Sequence, residues 1–304
     1  MTTDIDTTAP SPPPEPSPAP AAVTGENLTI SIWRGDETGG AFADYNLPAQ
    51  DGEVVLDVVH RIQAEQAPDL AVRWNCKAGK CGSCSAEING KPSLMCMTRM
   101  STLPTAEPIT VSPMRTFPII RDLVTDVSFN YAVARRIPPV QLGPKESDGT
   151  RRMSQIDIDR GQEFRQCIEC FLCQNVCHVI RDHEENKTNF AGPRFFARLA
   201  ELEMHPLDTL DRRMLISEEM GIGLCNITKC CTEVCPEHIH ITDNAIIPLK
   251  ERVVDARFDP LIWLGRKIGR RPVPTPAEVA ASYAPERWSG AVVDSGVRGA
   301  APGA

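Results

Sequence analysis

Cys76-Lys-Ala-Gly-Lys-Cys81-Gly-Ser-Cys84, answered later by Cys96, is the stretch whose reading decides the fold. The spacing is C-x4-C-x2-C followed by a lone cysteine, the ligand spacing of plant-type [2Fe–2S] sites. Gly79 and Gly82 permit positive φ, so the backbone can turn its N–H groups toward sulfur. Lys77 and Lys80 offset part of the negative charge of a thiolate-ligated cluster. Working outward, Leu28-Thr-Ile-Ser-Ile-Trp33 alternates apolar and polar as a half-buried strand does. Asp51 is placed to cap a helix in which Val55, Val58, Val59 and Ile62 share a face. Asn89-Gly90 is a hairpin turn signal, and its far arm delivers Cys96. Ile109-Thr-Val111 reads as a closing strand.

A second group, Cys167-Ile-Glu-Cys170-Phe-Leu-Cys173-Gln-Asn-Val-Cys177, has the C-x2-C-x2-C-x3-C spacing of bacterial ferredoxins. A third, Cys225, Cys230, Cys231 and Cys235, ends in Cys235-Pro236. In such paired runs the fourth cysteine of one run ligates the other cluster. Cys167, Cys170 and Cys173 then take Cys235 as their remote ligand, while Cys177 joins the third group. Cys177, Cys225 and Cys231 supply three ligands, the number that suits [3Fe–4S]. Were Cys230 to reach as well, [4Fe–4S] would be possible there. Adjacent side chains point apart, so Cys230 reads as a packed bystander. Helical periodicity begins near Arg160. Gly192-Pro193 starts a helix with Phe195, Phe196, Leu199 and Leu202 on its inner side. Leu210, Met214 and Leu215 indicate another, stopped by Gly221 and Gly223. A last helix carries Leu249 and Val253, with Pro248 near its start.

The implied fold class is α+β. An N-terminal plant-type ferredoxin-like β-grasp domain over 26–125 is followed by a connector over 126–159. An α-helical bacterial-ferredoxin-like domain over 160–258 holds two cubane-type sites. Residues 1–25, with seven prolines, read as a disordered tail, and 259–304 as an extended or disordered one. The 304 residues suffice for two modest domains. Net charge is −8, which argues against nucleic acid as partner. No apolar run is long enough for a transmembrane helix, and the acidic, proline-rich start is unlike a Sec signal peptide. Twelve cysteines without a secretory context point to metal rather than disulfides.

The chain resembles the iron–sulfur subunit of succinate dehydrogenase and quinol:fumarate reductase. The resemblance rests on Trp74–Cys84, Asn89–Cys96, Phe117-Pro-Ile-Ile-Arg-Asp-Leu-Val124, Cys167–Cys177, Gly192-Pro193 and Cys225–Pro236, and spans about residues 27–255. It implies an electron wire with no catalytic substrate site of its own. Electrons would enter from the FAD of a succinate-oxidising flavoprotein subunit. They would pass [2Fe–2S] (Cys76, Cys81, Cys84, Cys96), [4Fe–4S] (Cys167, Cys170, Cys173, Cys235) and [3Fe–4S] (Cys177, Cys225, Cys231). The acceptor would be a quinone, menaquinone or ubiquinone, at membrane-anchor subunits. The resemblance places the chain peripherally on the cytoplasmic face of the inner or plasma membrane, in the respiratory chain and tricarboxylic acid cycle.

The sequence departs from that family at the quinone end. His178 stands where a proline is common, and no tryptophan follows among Val179, Ile180, Arg181, Asp182 and His183. Asn226 replaces a common histidine. Quinone is therefore expected mostly within partner subunits, with His178, Arg181 and Asn226 the candidate quinone-proximal residues. His183, His238 and His240 read as surface or interface residues, as do the charges of Arg165 and Lys229. Three alternatives stand beside this reading. They are the same wire run in reverse as a fumarate reductase subunit, a thiol-linked fumarate reductase, and a zinc-stabilised scaffold without a redox role. Zinc favours two short cysteine pairs and a spacer, a plan the first group does not follow.

Overall fold

The computed structural model describes residues 27–258. The two tails named above lie outside the described residues. The first half is a mixed sheet with one helix against it. Strand β1 (Asn27–Asp36) is longer than the alternation predicts, and it pairs antiparallel along its whole length with β2 (Gly39–Pro48). Sequence reading missed β2: Gly39–Phe42 is exposed and opens on two glycines, and the apolar alternation Ala43-Asp-Tyr-Asn-Leu47 covers only its second half. Helix α1 (Val55–Glu65) follows, then β3 (Ser85–Ile88), β4 (Lys91–Leu94), β5 (Ile109–Ser112), β6 (Ile119–Arg121) and β7 (Val124–Thr125). The strand order is β4-β3-β5-β1-β6-β7, with β2 on β1. β1 and β5 run parallel, Ile30 opposite Ile109 and Ile32 opposite Val111. Asn89 (φ 49°) and Gly90 (φ 75°) make the predicted turn between β3 and β4.

The period-2 pattern of β1 explains its seating. Leu28, Ile30 and Ile32 are buried. Thr29 and Ser31 point the other way and donate to Asn46 Oδ1 and Asp44 Oδ1 on β2, at 2.8 and 2.7 Å. On α1, Val55, Val58, Val59 and Ile62 are all at most 1 % exposed. Each such burial stabilises by about 1.5–3 kcal/mol. The cap differs from expectation. Gly52 (φ 78°) turns the chain after Asp51, and the helix begins only after Val54. Asp57 instead accepts the Val54 N–H at 3.3 Å, in the first turn where an acid suits the helix dipole.

The second half is helical: α2 (Ser128–Arg135), α3 (Gln155–Arg165), α4 (Leu172–Val176), α5 (His178–Arg181), α6 (Pro193–Glu203), α7 (Cys230–Glu233) and α8 (Ile247–Phe258). Helix α3 starts ahead of Arg160 because Ser154 caps it, accepting the Asp157 N–H at 3.3 Å. Helix α6 buries Phe195, Phe196, Leu199 and Leu202 as the spacing predicts. The helix expected over Leu210–Leu215 is a π-helical turn at Leu215–Glu219, with Leu210 ahead of it. The wider turn keeps Ile216 and Met220, both fully buried, on the same side. A second π-turn, Ile241–Ile246, leads into α8, where Leu249 is fully buried. Among the described residues no helix is long and apolar enough to cross a membrane.

Candidate functional site

The cysteine loops share an uncommon backbone. Among the described residues, eight non-glycine residues have positive φ. Six of them, Lys77, Glu169, Phe171, Ile227, Lys229 and His238, lie within three residues of a cysteine. For β-branched Ile227 at φ 64° this is a costly conformation. Left-handed residues reverse the chain so that successive N–H groups converge into a concavity for an anion.

In the first loop the Ala78 and Lys80 N–H groups lie 3.4 and 3.3 Å from Cys76 Sγ. Burial opposes charge on Cys81, but hydrogen bonds from Ser83 and the Cys76 backbone outweigh it and bring its thiol down to about 6. Cys84 is buried between strand and loop, and burial pushes its thiol up to about 12. The β3–β4 hairpin carries Cys96 to Cys84, close enough for the Cys96 backbone to hydrogen-bond it. The loop can hold a cluster through these four sulfurs. Gly79 and Gly82 take φ 65° and 69°, as predicted.

A cavity of about 20 Å³, opening to solvent, is bordered by Cys167, Cys170, Cys173 and Cys235. Phe171, Ile239 and Ile241 make much of the rest of its wall apolar. Cys170 is pushed up to about 12 by burial, and buried Cys173 is raised well above its usual value by burial and then by its neighbouring thiols. Backbone N–H groups of Leu172 and of Glu237 and Ile239 are directed at Cys170 and Cys235. Among the described residues no three His, Cys, Asp or Glu side chains gather tightly enough for one metal ion. The four thiols instead border an apolar hollow fringed by N–H donors, a donor set that fits an iron–sulfur core.

Cys177, Cys225, Cys230 and Cys231 form the third cluster of thiols. Burial pushes Cys177 up to about 12, with charge on Cys230 and Cys231 adding to it, and Cys231 up to about 11, with Cys230 and Cys225 adding. Cys230 is half-buried at the start of α7, its sulfur 3.4 Å from Thr228 Oγ1. Charge on Cys230 acts on both Cys177 and Cys231, so its thiol lies within the field of the group. Fully buried Thr242 stands 3.4 Å from Cys231 Sγ.

The sites abut. A Cβ on Gly82 would come within 2.6 Å of Cys170 Cα, so the first loop rests on the second. Ser85 Oγ lies 2.9 Å from the carbonyl oxygens of both Gly82 and Cys170 and donates between them. Lys80 meets Glu237 at 3.2 Å, next to Pro236. Charge on Cys231 is felt at Cys173, which brings the second and third groups into one field.

His178 is half-buried at the start of α5, and Asn226 is exposed beside Cys225, flanked by exposed Leu224 and Ile227. Arg181 is already gripped by Asp182, at 2.8 and 3.0 Å. His183 pairs with Glu185, and His240 with Glu163. Arg165 pairs with Glu201 and Lys229 with Asp243, exposed pairs worth little to stability.

Sequence reading missed a buried polar lock between the halves. Glu87 on β3 accepts from Arg115 Nη2 at 2.6 Å and from Asn175 Nδ2 at 2.9 Å. Asn175 in turn accepts the Thr116 N–H at 3.1 Å, and Thr116 Oγ1 donates to the Asn175 carbonyl at 2.9 Å. It also missed Arg212, 1 % exposed, which pairs with Asp208 at 2.8 Å and donates to the carbonyls of Pro138 and Pro139. Pro92 and Ser93 on the neighbouring strand give no hint of Glu87's role; Asn175, directly after Gln174 in a cysteine run, was the one available signal.

Known proteins agree with this geometry. Residues 29–131 match a 2Fe-2S iron–sulfur cluster binding domain and residues 163–239 a 4Fe-4S dicluster domain. A fumarate reductase iron–sulfur subunit of Mycobacterium tuberculosis is 32 % identical, over 70 % of this chain and 86 % of that one. A mitochondrial succinate dehydrogenase iron–sulfur subunit of Oryza sativa is 30 % identical, over 70 % and 77 %. A CoM/CoB fumarate reductase chain from Methanothermobacter marburgensis is 30 % identical over 68 % of this chain, but only 40 % of its own length is matched. Among solved structures, a chain of the Mycobacterium smegmatis Sdh1 complex in the apo form is 66 % identical, with TM-score 0.75, over 78 % of this chain and all of that one. This chain belongs to the family of iron–sulfur subunits of succinate dehydrogenase and fumarate reductase, and its work is electron transfer.

Proposed function

We propose that the chain carries electrons from the FAD of a succinate-oxidising flavoprotein subunit to quinone at membrane-anchor subunits, which hold it on the cytoplasmic face of the membrane. Bound clusters supply one-electron carriers in series. Cys76, Cys81, Cys84 and Cys96 hold [2Fe–2S]; Cys167, Cys170, Cys173 and Cys235 hold [4Fe–4S]; Cys177, Cys225 and Cys231 hold [3Fe–4S]. The observation that carries this partition is the cavity bordered by Cys167, Cys170 and Cys173 together with Cys235, a residue from a distant segment. N–H groups directed at the sulfurs favour their thiolate forms. Phe171, Ile239 and Ile241 give the second site an apolar wall.

Residues 26–125 read as a ferredoxin-like β-grasp domain and 160–258 as a bacterial-ferredoxin-like one, with 126–159 as connector. The mixed sheet with α1 against it supports the first. Short helices that begin at cysteine loops support the second. The 66 % identity to a chain of the Sdh1 complex favours succinate oxidation. Fumarate reduction, the same wire reversed, is the second reading, favoured by the name of the M. tuberculosis relative.

The test is EPR of the purified complex with Cys235→Ser. The expected result is an altered [4Fe–4S] signal, with the reduced [2Fe–2S] and oxidised [3Fe–4S] signals intact. An effect confined to the third centre overturns the partition. Absence of any oxidised [3Fe–4S] signal in the parent complex overturns the third assignment and brings Cys230 in as a ligand. Direction is read from succinate-driven quinone reduction against quinol-driven fumarate reduction, the former expected to be faster.

A further inference from the structure

Arg194 is out of place as a surface charge. It occupies the first turn of α6, directly after Pro193, and its side chain is only 11 % exposed. It lines the cavity bordered by Cys167, Cys170, Cys173 and Cys235. One end of its guanidinium is satisfied, Nη2 donating to Glu169 Oε1 at 2.7 Å. Nε is not. Among the described residues four buried side-chain nitrogen or oxygen atoms lack a hydrogen-bond partner, and Arg194 Nε is one of them. Leaving such a donor unmade costs about 1–3 kcal/mol, more for a charged group. A cation and an idle donor at the wall of a largely apolar hollow, whose other charged lining residue, Glu237, is paired with Lys80, call for a negatively charged acceptor.

We infer that Arg194 is a positioning residue for the [4Fe–4S] group, its guanidinium raising that group's reduction potential. The inference rests on the ligand partition proposed above. The chemistry is electrostatic. One-electron reduction makes the group more negative by one charge, and a buried cation stabilises that added charge more than it stabilises the oxidised form. Glu169 would cancel this field if both charges were equally buried. They are not: the carboxylate is 49 % exposed against 11 % for the guanidinium, so water screens the acid and leaves the cation dominant at the cavity. Charge on Cys167 and then Cys173 acts on the guanidinium, so it lies within the field of two of the cavity's thiols. A role in packing alone would be met by a methionine of similar length, with no idle donor and no buried charge.

The test is an EPR-monitored redox titration of the purified complex with Arg194→Met and, separately, Glu169→Gln. Arg194→Met is expected to lower the [4Fe–4S] reduction constant roughly tenfold, a negative shift of about 59 mV for a one-electron couple. Glu169→Gln is expected to shift the same centre the opposite way, by less, because it removes the opposing charge. The [2Fe–2S] potential should stay put in both. An unmoved [4Fe–4S] potential in an Arg194→Met complex with full iron content overturns the inference, as do shifts of the same sign in the two variants. If Arg194→Met fails to load iron, Arg194→Gln, which keeps a donor and removes the charge, is read in its place: a negative shift supports the inference and no shift overturns it. Cys235→Ser serves as the control. Where it leaves the [4Fe–4S] spectrum unchanged, it is the partition that fails, not the role of Arg194.

Discussion

Thr242 shows how one hydroxyl can tune a sulfur. Its N–H donates to Thr232 Oγ1 at 3.0 Å, and Thr232 Oγ1 donates to Thr242 Oγ1 at 3.1 Å. With its acceptor side occupied, the Thr242 proton is left for Cys231 Sγ at 3.4 Å. A hydrogen bond to a thiolate ligand drains charge from the metal group and favours its reduced form. Thr242→Val keeps shape and deletes the proton. The third centre's midpoint potential is expected to fall by roughly 20–65 mV, the equivalent of the 0.5–1.5 kcal/mol of one hydrogen bond. EPR-monitored titration reads this directly, and an unchanged midpoint with the signal intact would remove Thr242 from the tuning set. Gly82 is the second single-residue case. Its φ of 69° and the contact its Cβ would make with Cys170 at 2.6 Å both forbid a side chain. Gly82→Ala is expected to lower iron content at the first two sites together, by chemical iron analysis and EPR, because it pushes one loop off the other. A loss restricted to [2Fe–2S] would mean that the loops do not bear on each other.

At the scale of elements, sequence was legible wherever a local rule sets the backbone. The period-2 run of β1, the shared face of α1, the Asn89-Gly90 turn and Pro193 at the start of α6 each follow from near neighbours. Elements shaped by distant partners were not legible. The first half of strand β2, Gly39–Phe42, is held by β1 rather than by an apolar pattern of its own, and the π-turn at Leu215–Glu219 is widened to bury Ile216 and Met220. The π-turn at Ile241–Ile246 is of this second kind, fastened to α3 by Glu163. That carboxylate accepts from the His240 N–H, from Asn244 Nδ2 and from His240 Nδ1, the last at 2.8 Å. Burial opposes its ionisation, but these donors, the His240 backbone first, hold it below the usual carboxylate range. A depressed acid contributes stability that is present above its unfolded value of about 4.3 and lost as pH falls through its folded value. Glu163→Gln lacks that contribution. Urea unfolding of parent and variant is expected to differ most near pH 7 and to converge only as pH falls below the depressed folded value of Glu163. A difference that is constant with pH would assign Glu163 a packing role only.

At the scale of the molecule, cysteine spacing points to Cys235 as a partner of the second group, and Cys235 borders the same cavity as Cys167, Cys170 and Cys173; thiol chemistry constrains spacing along the chain. What holds the two halves in register left no such trace. Glu87, Arg115, Thr116 and Asn175 come from β3, a loop and α4, and each looks ordinary in its own surroundings. Their meaning lies in their meeting. Glu87 is 3 % exposed at its side chain while Arg115 is 57 % exposed, so the two do not share the cost of separation equally. With the carboxylate removed, the Arg115 head re-solvates, but fully buried Asn175 loses the acceptor for its Nδ2 and water cannot replace it. Removing one partner of a buried pair costs about 3–5 kcal/mol, and Arg115's exposure reduces that to about 2–3. Glu87→Leu is therefore expected to lower the thermal midpoint by roughly 5–10 °C in a chain of this size. Because Ser85 and Gly82 on the same segment touch Cys170, the variant should also slow electron passage between the first two centres, with each centre's own EPR spectrum preserved. Rapid-freeze reduction of the complex measures that step. Parent-like kinetics together with a parent-like midpoint would show that Gly82, Ser85 and Lys80 suffice to hold the two halves together without the buried carboxylate.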